Sequence, residues 1–122
     1  MLDIIAVGCG GFIGAALRYL ISLAPVRETT LFPIKTFIIN IIGCIVIGGI
    51  AVLCVKEIEA NPRFILFLKA GVCGGFTTFS TFALETSGLI KDGHMAVAAL
   101  YVTLSVMVGV AVIFAQELVF NR

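Results

Sequence analysis

Residues 74–82 read Gly74-Gly75-Phe76-Thr77-Thr78-Phe79-Ser80-Thr81-Phe82, inside an otherwise apolar stretch bounded by Lys69 and Lys91. A lipid-exposed helix needs no cluster of hydroxyls, and paired glycines weaken it. Non-helical backbone at membrane depth persists only where it is buried in protein or lines a cavity. The segment therefore reads as a membrane-spanning helix, broken near the midplane, that contributes to a polar pathway.

The rest of the chain fits that setting. It is 61% hydrophobic and 12% charged, against roughly 25% charged residues in a soluble domain, and its mean hydropathy is +1.20. Uncharged runs occur at Ile4–Leu17, Thr36–Val55, Ala70–Leu84 and Met95–Gln116, and a span takes about 20 residues. Letting Arg18 snorkel extends the first run to about Ala24, before Pro25, and including Glu85 extends the third to Ile90. An all-α membrane protein follows, with spans over about 2–24, 34–55, 64–90 and 94–118 of one domain covering 1–122. Short connections, one marked by Asn61-Pro62, leave nothing for a soluble domain. Lys56-Glu57-Ile58-Glu59 reads as a solvated turn. Met-Leu-Asp supplies no basic leader region, so the first helix is expected to remain in the mature protein.

Positive charge is balanced between the two faces. Lys56, Arg63, Lys69 and Arg122 fall on the face with the N-terminus, and Arg18, Arg27, Lys35 and Lys91 on the other. Cytoplasmic loops normally carry the excess of Lys and Arg. A balanced chain can insert both ways up and pair with an inverted copy of itself, unless the equality is an accident of small numbers. Gly10 with Gly14, and Gly71 with Gly75, have the spacing that lets helices approach closely.

Enzyme chemistry is not expected. Cys9, Cys44, Cys54 and Cys73 lie in apolar runs without a paired-cysteine spacing and read as packing residues, and His94 as an interfacial side chain. No nucleophile, base and orienting group can be assembled, and no nucleic-acid partner is expected. The intramembrane polar groups can serve a polar pathway instead; a small anion in such a pathway would exchange its water for donors, because dehydration in an apolar medium costs on the order of tens of kcal/mol. Asn40 offers two N–H groups; Thr77, Thr78, Ser80 and Thr81 offer hydroxyls; Tyr101 and Ser105 share a face of the fourth helix. For Asn40 the alternative is an interhelical hydrogen bond of about 1 kcal/mol. The recurring Phe76, Phe79 and Phe82 are either packing or a wall of positive ring edges. Arg18 either lines a vestibule or reaches head groups, and Glu85 either accepts from a hydroxyl or pairs with a basic residue at the mouth. The break at Gly74-Gly75 frees carbonyls that a hard cation or a trapped water can satisfy.

Three segments carry a resemblance. Gly10-Gly11-Phe12-Ile13-Gly14-Ala15-Ala16-Leu17-Arg18-Tyr19, Thr36-Phe37-Ile38-Ile39-Asn40-Ile41-Ile42-Gly43 and the stretch from Gly74 to Phe82 resemble, in order and spacing, the signatures of the CrcB/Fluc fluoride channels. Phe37 stands where an aliphatic residue is expected. The resemblance implies an antiparallel, dual-topology homodimer in the cell membrane that exports fluoride passively through two pores and relieves fluoride toxicity. It implies a sodium ion between subunits, held by the main-chain carbonyls of Gly74 and Thr77. By motif position it assigns Phe79 and Phe82 to the fluoride pathway, beside Asn40, and leaves Phe76 to packing. The other functions considered are a small proton-coupled multidrug transporter and a non-transporting assembly subunit. The first needs a carboxylate within the first helix, which has only Asp3 at its tip, and an aromatic cage often built with Trp, which the chain lacks. The second leaves the hydroxyl-aromatic segment without a role.

Overall fold

The computed structural model describes residues 1–26, 30–56 and 61–120, and the described residues form helices and their connections, with no strand among them. Helix α1 spans Leu2–Ser22 and α2 spans Ile34–Val55. The third span, Pro62–Lys91, is composite: α3 (Pro62–Leu66), a π-helical segment (Phe67–Cys73), α4 (Gly74–Phe76) and, after a break, α5 (Phe79–Lys91). Helix α6 spans Met95–Phe120. Four spans are long and apolar enough to cross a membrane, and the chain is a multi-pass membrane protein. Arg27, Glu57, Ile58, Glu59 and Arg122 lie outside the described residues.

Local chemistry sets the ends of the third span. The Asn61 side chain accepts from the Arg63 N–H at 2.9 Å and Pro62 occupies the first turn, so the helix begins at Pro62 rather than at residue 64, where hydropathy alone would start it. At the other end Gly93 takes φ 83°, a conformation few side chains tolerate, while the His94 N–H reaches back to the Leu89 carbonyl at 2.8 Å. The turn delivers α6 antiparallel to α5.

Glycines decide how the spans meet. Helix α1 packs on the π-helical segment and α4, and α2 packs on α6. A Cβ at Gly71 would stand 2.8 Å from the Gly10 Cα, and one at Gly10 would stand 2.9 Å from the Gly71 Cα and overlap the Phe67 carbonyl. Gly14 meets Val72 and Phe76, and Gly75 meets Gly11, in the same backbone-to-backbone manner. At one end of the bundle Arg63 Nε pairs with Asp3 at 2.8 Å, and Lys56 Nζ sits 5.7 Å from the Phe120 ring centroid. At the other, Lys35 Nζ donates to the Ser22 carbonyl at 3.0 Å. Large apolar side chains such as Phe12, Leu84, Met107 and Phe114 point outward, as a bilayer or a second subunit requires.

The glycine contacts predict opposite effects for one substitution at two helical sites. Gly71→Ala should lower the unfolding temperature in detergent, because overpacking costs about 1–3 kcal/mol and here backbone must yield. Gly88, with nothing within 4 Å of a Cβ, should be stabilised by about 1 kcal/mol as alanine.

Candidate functional site

The break occupies the middle of the third span. Thr77 (φ −78°, ψ 159°) and Thr78 (φ −149°, ψ 117°) are extended between two helical stretches. The Thr77 N–H still reaches the Cys73 carbonyl at 3.0 Å, whereas the Thr78 backbone is satisfied from α2. Asn40 Oδ1 accepts from the Thr78 N–H at 2.9 Å, while Asn40 Nδ2 donates to the Thr78 carbonyl at 3.2 Å. Thr78 in turn caps α5, its Oγ1 accepting from the Thr81 N–H at 3.2 Å and donating to Thr81 Oγ1 at 3.0 Å. These bonds redirect two amides. In an unbroken helix the Thr78 N–H would serve the Gly74 carbonyl and the Thr81 N–H the Thr77 carbonyl. Both carbonyls are thereby relieved of their helical donors.

Two cavities meet at this point. A cavity of about 390 Å³ is lined by Asn40, Gly74, Thr77, Thr78, Phe79, Phe82, Ser105 and Lys69, with Gly43, Cys44, Ile47, Cys73 and Val106 completing the wall. A second, of about 260 Å³, is lined by Ala15, Arg18, Tyr19, Ser22, Thr36, Ile39, Thr78 and Thr81. Thr78 belongs to both. Ser105 Oγ and Arg18 Nε are buried atoms with no hydrogen-bond partner among the described residues. Gly43 admits the Thr77 methyl group against α2, where a Cβ would collide with it.

Glu85 has found hydroxyls. It accepts from Thr36 Oγ1 and from Tyr101 Oη, each at 2.7 Å. Tyr101 is fully buried, with its ring 4.9 Å from that of Phe82 and 5.2 Å from that of Phe32. Its hydroxyl is thus spent on Glu85, and of the two polar residues on that face of α6 it is Ser105 that lines the larger cavity. Phe82 touches Phe79 as well, at 5.9 Å between centroids. Phe79 is 79% exposed and Phe76 only 8%. Ser80 is exposed on the single chain. The break thus gathers Asn40, Thr78, Thr81, Phe79 and Phe82, while the buried Tyr101 and the half-buried Glu85 form a polar cluster beside it.

The family model described as "CrcB-like protein, Camphor Resistance (CrcB)" matches residues 5–116. The chain belongs to this family. Among CrcB-like relatives, the fluoride-specific ion channel FluC of Chlorobaculum tepidum is 43% identical over 97% of this chain and 94% of its own length. That of Ruminiclostridium cellulolyticum is 46% identical over 87% of this chain and 82% of its own. That of Methylobacillus flagellatus is 41% identical over 93% and 91%. The matched region contains every residue of the break and of both cavities.

Sequence reasoning overlooked Thr36 in this CrcB-like chain. It is a buried polar residue, 6% exposed, that joins α2 to Glu85 and lines the smaller cavity. Its spacing of four residues from Asn40 on one helix, which puts both on the same face, was the available signal. Thr36→Val and Tyr101→Phe should each lower unfolding free energy by about 1–3 kcal/mol, the cost of an acceptor left short of a donor in a buried site. The double mutant should depart from additivity, because both hydroxyls act on one carboxyl group. A double-mutant cycle by thermal or denaturant unfolding in detergent measures this.

Proposed function

We propose that this protein is a fluoride-selective passive channel that works as an inverted homodimer in the cell membrane, exports fluoride and so relieves its toxicity. The observation carrying the reading is the cavity at the break, whose lining around Phe79 and Phe82 has no carboxylate and holds donors in Asn40, Ser105 and Lys69, the hydroxyl protons of Thr77 and Thr78 going instead to the Cys73 carbonyl and Thr81 Oγ1. Curated relatives are named fluoride-specific ion channels, and the lining suits that ion. Fluoride is small and strongly hydrated, so its passage requires dense hydrogen-bond donation in place of water. Asn40 uses one amide proton on Thr78 and has a second to offer. Ring edges of Phe79 and Phe82 add positive potential without a titratable charge. Chloride, larger and a weaker acceptor, gains less from the same donors.

A proton-coupled multidrug transporter fits poorly. The carboxyl group within the third span, Glu85, lies six residues from its end, already accepts two hydroxyl hydrogen bonds and is on α5 rather than α1.

The homodimer and the sodium ion belong to the same proposal. Balanced charge supports dual topology, and the outward Phe79 would lie within reach of an inverted copy. The carbonyls of Gly74 and Thr77, relieved of their helical donors, are hard oxygen ligands suited to Na⁺, and two copies would supply four. The ion would neutralise carbonyl dipoles at the subunit junction and hold the two breaks together.

Purified protein in liposomes should release fluoride, followed by electrode, without a proton gradient and with little chloride efflux. Phe79→Ile, Phe82→Ile and Asn40→Asp should each cut fluoride flux at least tenfold in protein that elutes as a dimer, whereas Phe76→Ile should conduct. Near wild-type flux in the first three would reject the pathway, and comparable chloride flux would reject the selectivity. A terminal epitope tag should be reached by protease from both sides of the membrane. Access from one side alone would reject dual topology.

A further inference from the structure

Lys69 is a cation within a membrane span, and its position is imposed by packing. It lies about 10 Å along the helix from Pro62 and about 12 Å short of the break, at a rise of ~1.5 Å per residue. Gly71 and Gly75 press one side of the π-helical segment and α4 against α1. Lys69, Cys73 and Thr77 share the opposite side, and all three line the larger cavity facing α2 and α6. A π-type turn in an otherwise α-helical span shifts the phase of the residues after it and recurs at functional sites. Here it lets one stretch place its glycines on α1 while Lys69 and the extended Thr77 open onto the same cavity.

The charge inventory of that cavity is simple. Lys69 is its one charged lining residue, and its ammonium has no ion-pair or hydrogen-bond partner among the described residues. Farther along the same wall stand the unpartnered Ser105 hydroxyl and the spare proton of Asn40. Arg18 lies in the other cavity, across Thr78. Each side of the break therefore has its own cation.

We propose that Lys69 is the electrostatic collector of the larger cavity: a fixed positive charge that raises the local concentration of small anions at the mouth opposite Arg18 and delivers them to Ser105 and Asn40. The inference rests on the channel reading above and adds to it a specific residue, side and mechanism. An ammonium set back from the break attracts the anion without binding it at the narrow point, so it raises the rate of arrival rather than trapping the ion. In an inverted dimer each membrane face would receive one Lys69 and one Arg18.

The experiment measures fluoride efflux from neutral-lipid liposomes at about 20 mM and about 500 mM ionic strength, where the screening length falls from roughly 20 Å to roughly 4 Å. Wild type, Lys69→Arg, Lys69→Met and Lys69→Glu are compared. Lys69→Met keeps an unbranched stem, so packing is nearly conserved. The expected result at low salt is flux within twofold of wild type for Lys69→Arg, at least threefold lower for Lys69→Met and at least tenfold lower for Lys69→Glu. At high salt all four should converge. Equal flux of Lys69→Met and wild type at low salt overturns the proposal. So does a loss of the same size at both ionic strengths, which marks a packing defect. If Lys69→Glu does not fold, Lys69→Met and Lys69→Arg decide the question alone. Wild-type protein that passes no fluoride rejects the channel reading itself, an outcome distinct from a conducting wild type indifferent to Lys69.

Discussion

The reciprocal pair between the Asn40 amide and the Thr78 backbone is the interaction on which the site depends. A broken helix at membrane depth exposes N–H and C=O groups that hydrocarbon cannot satisfy, each at a cost of several kcal/mol. Asn40 offers one acceptor and one donor at the spacing a peptide unit presents, and Thr78 uses both. The lock has two results from one contact. It removes the cost of the break, and it withdraws the amide that would have capped the Gly74 carbonyl. The Thr78 side chain repeats the device one step on, taking the Thr81 amide and releasing the Thr77 carbonyl.

Around that lock the fold works as a frame. Gly10, Gly14, Gly71 and Gly75 bring α1 against the third span at backbone distance, which fixes which side of the π-helical segment faces α2. Gly43 clears a place for the Thr77 methyl group. The cluster of Glu85, Thr36 and Tyr101 then ties α5 to α2 and α6 through short hydrogen bonds. Polar satisfaction inside the span is therefore achieved in two separate places, one holding the break and one holding the half-helix that comes after it.

Much of this was legible in the residues. Four apolar runs marked the spans, and a Gly-Gly-Phe-Thr-Thr sequence inside one of them marked the break, because hydroxyls and glycines have no reason to cluster on a lipid-facing helix. Asn40 was visible as an intramembrane donor, but its partner was not. A side chain 38 positions away from Thr78 in the chain can be matched to it only once the helices are packed. Tyr101 and Ser105 share a helical face by spacing, yet one is spent on Glu85 and the other opens onto the cavity, a difference set by where α5 crosses α6. The π-helical segment left no signal in hydropathy, since inserting a residue changes phase and not composition.

If Asn40 holds the break, the Thr78 amide should be protected from exchange with solvent only while the Asn40 carboxamide is present. The direct measurement is residue-resolved hydrogen exchange on wild-type and Asn40→Ala protein in detergent or nanodiscs. Exchange at Thr78 should rise at least tenfold in the variant while amides within α2 and α5 keep their protection. Unchanged protection at Thr78 would show that the break is held by something other than Asn40 and would contradict the lock described for it.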